Sequence, residues 1–480
     1  MTATVTLPLW LVILVLVLAA IAALDRILAP SVRWYFRHRM ERVVARLNKR
    51  LVRPIEPFKL MQRQDMIIRL CYDPGVMQAV VDHARETGVP ESVAFQEARS
   101  YAREIVPSFS ATMYFGVAIQ LARWLSRLLY RVRLGRFDEA SLSSIDPNAT
   151  VVFVMNHRSN MDYVLVTYLA ADRSALSYAV GEWARFWPVS RLIRAMGAYF
   201  IRRRSRNPLY RRVLARYVQM ATAEGVTQAI FPEGGLSLNG QVGEARLGLL
   251  NYIVTGVDPA KGRDVIFIPV ALNYDRVMED RVLIGAHRQG ERRFRAKVGS
   301  ILWFFAKHLW QKIRGRFQKF GYAAVSFGSP ISLAGLRLDQ PDLQTEALGA
   351  MLMARIRALV PVLPVPLVSA VLLMAEGPLT REALAERACG LLDQLRAAGA
   401  YLHLPQGQDK IAVEYGLHML ALRRLIVEDS GTVAANPAET ALLAFYAASI
   451  SQLLADAATI AADAPHTDDD DGDAGHSVLK

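Results

Sequence analysis

Between residues 150 and 330 the chain alternates short, continuously apolar runs with longer helical stretches, and this alternation restricts the possible folds more than any other feature. Val151–Met155, Ala229–Phe231, Val265–Val270 and Ala323–Phe327 read as buried strands. Residues 161–171, 209–224 and 244–255 read as helices between them. Strands separated by helices predict an α/β unit over 135–330, a central mixed sheet flanked by helices. The regions on either side, 25–134 and 331–465, are predicted to be helical. Asp73-Pro74-Gly75 and Gly88-Val89-Pro90 mark turns in the first of these. Residues 111–134 read as one amphipathic helix, with Arg123, Arg127 and Arg131 beside Leu121, Trp124, Leu125 and Leu128. That stripe fits a membrane surface or a packed helix with a solvated arginine face. In the C-terminal region Thr380 is placed to cap a helix ending before Gly399, and a hairpin around Asp429-Ser430-Gly431 resembles the wing of a winged helix.

Charge narrows the partners. The chain has 57 Lys and Arg against 44 Asp and Glu, a net +13. Such an excess asks for nucleic acid, anionic lipid or a phosphorylated substrate. The tail 466–480 holds Asp468–Asp471 and Asp473 and is predicted to be disordered; without it the balance is 56 to 39, or +17. The other end has the opposite character. Residues 1–24 carry no ionisable side chain, and 7–24 are just long enough to span a bilayer as a helix. Eleven Lys and Arg lie between Arg26 and Arg63, after the apolar run, which is the order of an anchor and not of a secretory signal. The positive-inside rule then places residues 25 onward in the cytoplasm, on the inner face of the cytoplasmic membrane. A buried or in-plane helix is the alternative. In 301–320, aromatic residues alternate with Lys and Arg, which suits a bilayer headgroup region or a buried aromatic helix with a wet basic face. The two cysteines exclude a disulfide scaffold and a four-cysteine zinc site.

The chemistry gathers at strand ends. Val151–Met155 leads into Asn156-His157-Arg158-Ser159-Asn160-Met161-Asp162. Asp162 can hold the His157 imidazole in one tautomer and stabilise its protonated form, so that His157 takes a proton from an alcohol. Nine histidines and 24 aspartates would produce about 0.45 such pairs by chance, so the position at a strand end carries the weight. Arg202-Arg203-Arg204 form a candidate phosphate clamp or a juxtamembrane basic patch. Phe231-Pro232-Glu233-Gly234-Gly235-Leu236-Ser237 sets a carboxylate and two glycines after another strand, where a backbone can approach a ligand closely. In Ile268-Pro269-Val270 the proline is expected to end its strand.

These four clusters, in this order, resemble the four sequence blocks of the glycerolipid acyltransferase superfamily. Further stretches are similar to its bacterial glycerol-3-phosphate 1-O-acyltransferase branch, related to the dihydroxyacetone-phosphate acyltransferases. They include Tyr101–Ile105, Phe186-Trp187-Pro188, Leu247–Leu250, Val277-Met278-Glu279, Gly321-Tyr322 and Phe327-Gly328, and the similarity covers about 60–455. The resemblance implies acyl transfer from acyl-CoA or acyl-carrier protein to the sn-1 hydroxyl of glycerol 3-phosphate, giving lysophosphatidic acid at an anionic phospholipid membrane. It implies no metal, no cofactor and no nucleic acid. His157 would be the general base and Asp162 its orienting partner. Arg202, Arg203, Glu233, Gly234, Gly235, Ser237 and Arg246 would hold glycerol 3-phosphate, and Pro269 would shape the acyl-donor side. The chain departs from the branch at Leu236, where arginine is usual; Arg204 or Arg246 can substitute. That departure keeps a lysophosphatidate acyltransferase as an alternative. A non-catalytic membrane or nucleic-acid-binding protein is the other.

Overall fold

The computed structural model describes residues 8–10, 12–14, 16, 42–135, 139–169, 175–181, 189–202, 205–256, 262–290, 310, 314, 318–402 and 408–463. Arg203, Arg204, Phe186-Trp187-Pro188, the tail 466–480, most of 301–320 and most of the expected anchor at 7–24 lie outside the described residues.

The predicted strands are present and belong to one mixed sheet. Its members are β1 (Arg131–Leu134), β2 (Thr150–Met155), β3 (Ser177–Val180), β4 (Tyr199–Phe200), β5 (Gln228–Ile230), β6 (Val265–Tyr274), β7 (Tyr322–Phe327) and β8 (Ile331–Ser332). The order is β1-β7-β6-β2-β5-β3-β4, and β8 pairs with the first part of β6. From β6 to β4 all neighbours run parallel, while β7 is antiparallel to β6 and β1 is parallel to β7. β2 is rich in β-branched residues and buried along nearly its whole length, as a central strand covered on both faces must be. Met161–Leu169, Pro208–Ala223 and Gly248–Thr255 are the expected helices. Asn207 caps the second, its side chain accepting from Tyr210 N.

Several local expectations change. Asp73-Pro74 is a helix start: Asp73 caps Pro74–Thr87 by accepting from Gly75 N, and proline occupies the first turn. Residues 111–134 are not one helix. Thr112–Ala118 is a π-helical turn, Ile119–Leu129 an α-helix, and Arg131–Leu134 leaves it to pair with β7. The sheet therefore takes in residues just outside 135–330 at each end. Pro269 lies inside β6, opposite Val154 of β2, and does not end the strand. Its carbonyl accepts from Gly328 N, so the face lacking an N–H points away from β2, into the gap between the β8 and β7 pairings. A proline there costs no bond to β2.

The C-terminal region is stitched to β6. Asn273 Nδ2 donates to the Pro361 carbonyl, and Val365 N donates to Asp275 Oδ1. Thr380 caps Arg381–Ala397 as expected. Ile426–Asp429 and Thr432–Ala435 form the hairpin, with Ser430 and Gly431 both at positive φ, the backbone a two-residue hairpin loop requires. Leu379–Thr380 joins it as a third strand. The outer face of helix Asp409–Leu422 and the hairpin carry Glu414 and Glu428, both paired with Arg381. Among the described residues one helical run, Pro437–Thr459, is long and apolar enough to cross a bilayer, but its Leu442, Leu443, Phe445 and Tyr446 are packed into the core.

Candidate active site

The parallel topology sets the site. β2 and β5 are neighbours, so the loops after their C-terminal ends, Asn156–Asn160 and Phe231–Ser237, lie side by side. His157 lies two residues past the end of β2, and Asp162 sits in the first turn of the following helix, where an N-terminal dipole favours a carboxylate. His157 Nδ1 is 2.9 Å from Asp162 Oδ2, and both residues are buried. The same oxygen accepts from Arg158 N at 2.7 Å and Ser159 N at 3.0 Å, and Asp162 Oδ1 accepts from the Tyr274 hydroxyl at 2.6 Å. A carboxylate with this many donors is fixed in place. Nδ1 faces the carboxylate, so proton exchange with a substrate would fall to Nε2. The ring packs on Phe231, with centroids 4.2 Å apart, and edge-on to Tyr163.

His157 opens onto a cavity of about 900 Å³. Glu233, Gly234, Gly235, Leu236, Ser237, Leu238 and Arg246 line it, with Leu283, Ala286 and His287 from helix Asp280–Arg288. Glu233 accepts from His157 N at 2.9 Å and from Gly243 N at 3.2 Å. It therefore joins the two loops. Burial pushes its carboxyl up to about 7. Ser237 N donates to the His157 carbonyl, and its hydroxyl donates to Gln241 O. Gly234 has φ +67°, and a Cβ there would lie 2.7 Å from Arg246 Cδ, so the arginine stem rests on the glycine.

Arg202 is placed elsewhere. It follows β4, three strands from β2, or about 14 Å at sheet spacing. Its guanidinium makes a two-pronged pair with Glu104 and stacks on Tyr101 and Tyr210. Arg202, expected to meet substrate phosphate, is thus paired with a carboxylate of the chain itself. Pro269 is not among the described cavity residues.

Several supporting residues are not recognisable as such in the sequence. Tyr274, within β6, has no motif signal, yet it holds Asp162. Asn156 spans β2 and β6, exchanging two hydrogen bonds with the Leu272 backbone. Glu279 accepts from the Ser159 hydroxyl and the Asn160 side chain and so ties down the histidine loop. Its stretch is marked only by the family resemblance. Among the described residues no group of His, Cys, Asp and Glu could hold a metal ion.

The parallel part of the sheet thus brings this dyad beside a glycine-rich loop that carries a carboxylate. The Acyltransferase family profile matches residues 135–273, and the profile of the Glycerol-3-phosphate acyltransferase C-terminal region matches 306–472. The chain's similar relatives include the glycerol-3-phosphate acyltransferase of Pseudomonas entomophila (strain L48), 30% identical over 60% of this chain and 34% of that protein. That of Pseudomonas syringae pv. syringae (strain B728a) is 28% identical over 75% of this chain and 45% of that protein. The chain thus spans about a third to under a half of the length of these relatives. The 1-acyl-sn-glycerophosphate (LPA) acyltransferase PlsC of Thermotoga maritima aligns at TM-score 0.30 and 17% identity, over 51% of this chain and 80% of that one.

Proposed function

We propose that the protein transfers a fatty acyl group from acyl-CoA or acyl-carrier protein to the sn-1 hydroxyl of glycerol 3-phosphate. The buried His157–Asp162 pair opening onto a cavity beside Glu233-Gly234-Gly235 and Arg246 carries this reading. The names of the relatives support the acceptor. His157 Nε2 takes the hydroxyl proton as the oxygen attacks the thioester carbonyl. A C–O bond forms, the tetrahedral adduct collapses, the C–S bond breaks, and the leaving thiolate takes the proton from His157. Asp162 stays ionised and stabilises the imidazolium. Glu233 and Ser237 hold the two loops in register. Arg246 supplies a guanidinium for the acceptor phosphate in place of the arginine absent at Leu236; Arg203 is a second candidate. Pro269, paired with β2, shapes the donor side.

Leu236 and Leu238 in the wall favour a second reading, a lysolipid acceptor. Assay of the purified protein with each donor against glycerol 3-phosphate and lysophosphatidate separates the two. Acylation of lysophosphatidate alone overturns the first reading. Unchanged product formation by His157→Ala overturns both.

The protein is proposed to work at the cytoplasmic face of an anionic membrane. The uncharged segment 1–24, the basic stretch after it and the exposure of Leu9, Trp10, Ile13, Leu14 and Leu16 support this. Sedimentation with membranes after an alkaline carbonate wash tests it, and release by the wash counts against a spanning anchor.

A further inference from the structure

Ile55, Ala111, Tyr114, Ile119 and Ala175 form a small hydrophobic cluster separate from the main core. Two segments share it: the basic helix over 42–48, through Val44 and Leu47, and the π-to-α helix of 112–129. The outer side of the second is apolar. Val117, Leu121 and Trp124 recur at one-turn spacing and are 48%, 46% and 47% exposed. No described residue covers them to the degree expected of core side chains. The inner side of the same helix packs on Met161–Leu169, the helix that carries Asp162. Arg127 donates to the Tyr168 hydroxyl, and Arg123 and Arg127 lie against that ring, bracing the two helices together.

The charge around this face has one sign. Pro107–Phe137 contains five arginines and neither Asp nor Glu, and Arg42–Arg53 contains five basic residues and no acid. Arg42, Arg46, Lys49 and Arg50 are exposed. Cations alone would suit any polyanion. A nucleic-acid backbone offers nothing for Val117, Leu121 and Trp124 to enter, whereas a bilayer offers anionic headgroups to the arginines and acyl chains to the apolar residues.

We propose that the outer face of Thr112–Leu129, with Val117, Leu121 and Trp124 at its centre, docks in the surface of an anionic phospholipid bilayer and sets the active-site helix directly behind the membrane. This rests on the membrane reading above but does not depend on the terminal segment. Docking here holds the dyad beside the layer into which an acylated product partitions.

The test uses the full chain, with an environment-sensitive nitrobenzoxadiazole dye at Leu121→Cys. Cys389→Ser removes the half-exposed thiol, and Cys71 is buried. With phosphatidylglycerol-containing vesicles, dye emission should shift to the blue and be quenched by spin-labelled lipid. Phosphatidylcholine vesicles should give less of both, and high salt should weaken the response. A Trp124→Glu version should need about tenfold more lipid for half the shift. Water-like emission from protein that still sediments with vesicles overturns the proposal, because another segment then holds the membrane. Dye self-quenching that tracks protein concentration without lipid overturns it in favour of a second copy. A shift produced by duplex DNA and not by vesicles overturns it in favour of nucleic acid. Acyl transfer measured in detergent micelles reports separately on the proposed reaction, and Trp124→Glu should leave it unchanged.

Discussion

Asp162→Asn isolates the charge of the dyad from its geometry. The amide is isosteric with the carboxylate. Its oxygen can take the position of Asp162 Oδ2, facing His157 Nδ1 and the backbone N–H groups of Arg158 and Ser159. Its NH2 then faces the Tyr274 hydroxyl, which donates to Asp162 but can rotate to accept. Every bond of the cluster survives, so the fold should too. What is lost is the attraction between a carboxylate and the imidazolium that forms as the hydroxyl proton is taken. Two unit charges about 4 Å apart at an effective dielectric near 20 attract by about 4 kcal/mol. That is about three decades in rate. The expected result is a kcat about 10³-fold lower, with acceptor KM within about threefold of wild type and an unchanged melting temperature. Steady-state kinetics with glycerol 3-phosphate, paired with thermal unfolding, measures both. A loss under tenfold in a fully folded variant, or a loss confined to KM, would refute the role of the Asp162 charge.

Tyr274→Phe removes one donor from Asp162 and should lower kcat about tenfold, the value of a hydrogen bond to a charged group, with little change in KM. Arg246→Ala should raise the KM for glycerol 3-phosphate about ten- to a hundredfold and leave kcat nearly intact; the reverse pattern would remove it from the phosphate site. Burial raises both Glu233 and Asp275 to about 7, so their share of stability is fully present below their unfolded values near 4.5 and 3.8 and is lost as pH rises through about 7. The melting temperature should therefore fall between about pH 5 and 7, with a shallower slope in Asp275→Asn. Lys59 is buried on the Ala175 and Leu176 carbonyls, which lowers it to about 7, so its opposing contribution grows only above that pH.

The parts of the site legible in the sequence are the short-range ones. His157 and Asp162 lie five residues apart across a strand end and a helix start, so local structure alone brings them together. Glu233 was visible as a residue but not in its role, because its partners, His157 N and Gly243 N, come from two other stretches of chain. Arg202 is a similar case: Glu104, almost a hundred residues earlier, pairs with it, and no local pattern marks that pairing. From sequence, Pro269 suggests a strand end because a proline in a central strand is normally excluded; only the changeover from β8 to β7 alongside β6 makes it harmless. β3 and β4 are four and two residues long, too short to show a pattern above their surroundings.

The sequence by itself determined the α/β class, the dyad and the glycine loop, since hydrophobic periodicity and strand-end position are properties of contiguous residues. Tertiary structure decided which groups serve them. Tyr274 reaches Asp162, Glu279 reaches Ser159, and Asn156 reaches Leu272 across more than a hundred residues, and no local signal marks such pairings. It also decided the face that Val117, Leu121 and Trp124 present. The periodicity of that helix reported an apolar stripe, but whether a stripe is covered depends on what the rest of the chain packs against it, and the described residues leave this one about half exposed.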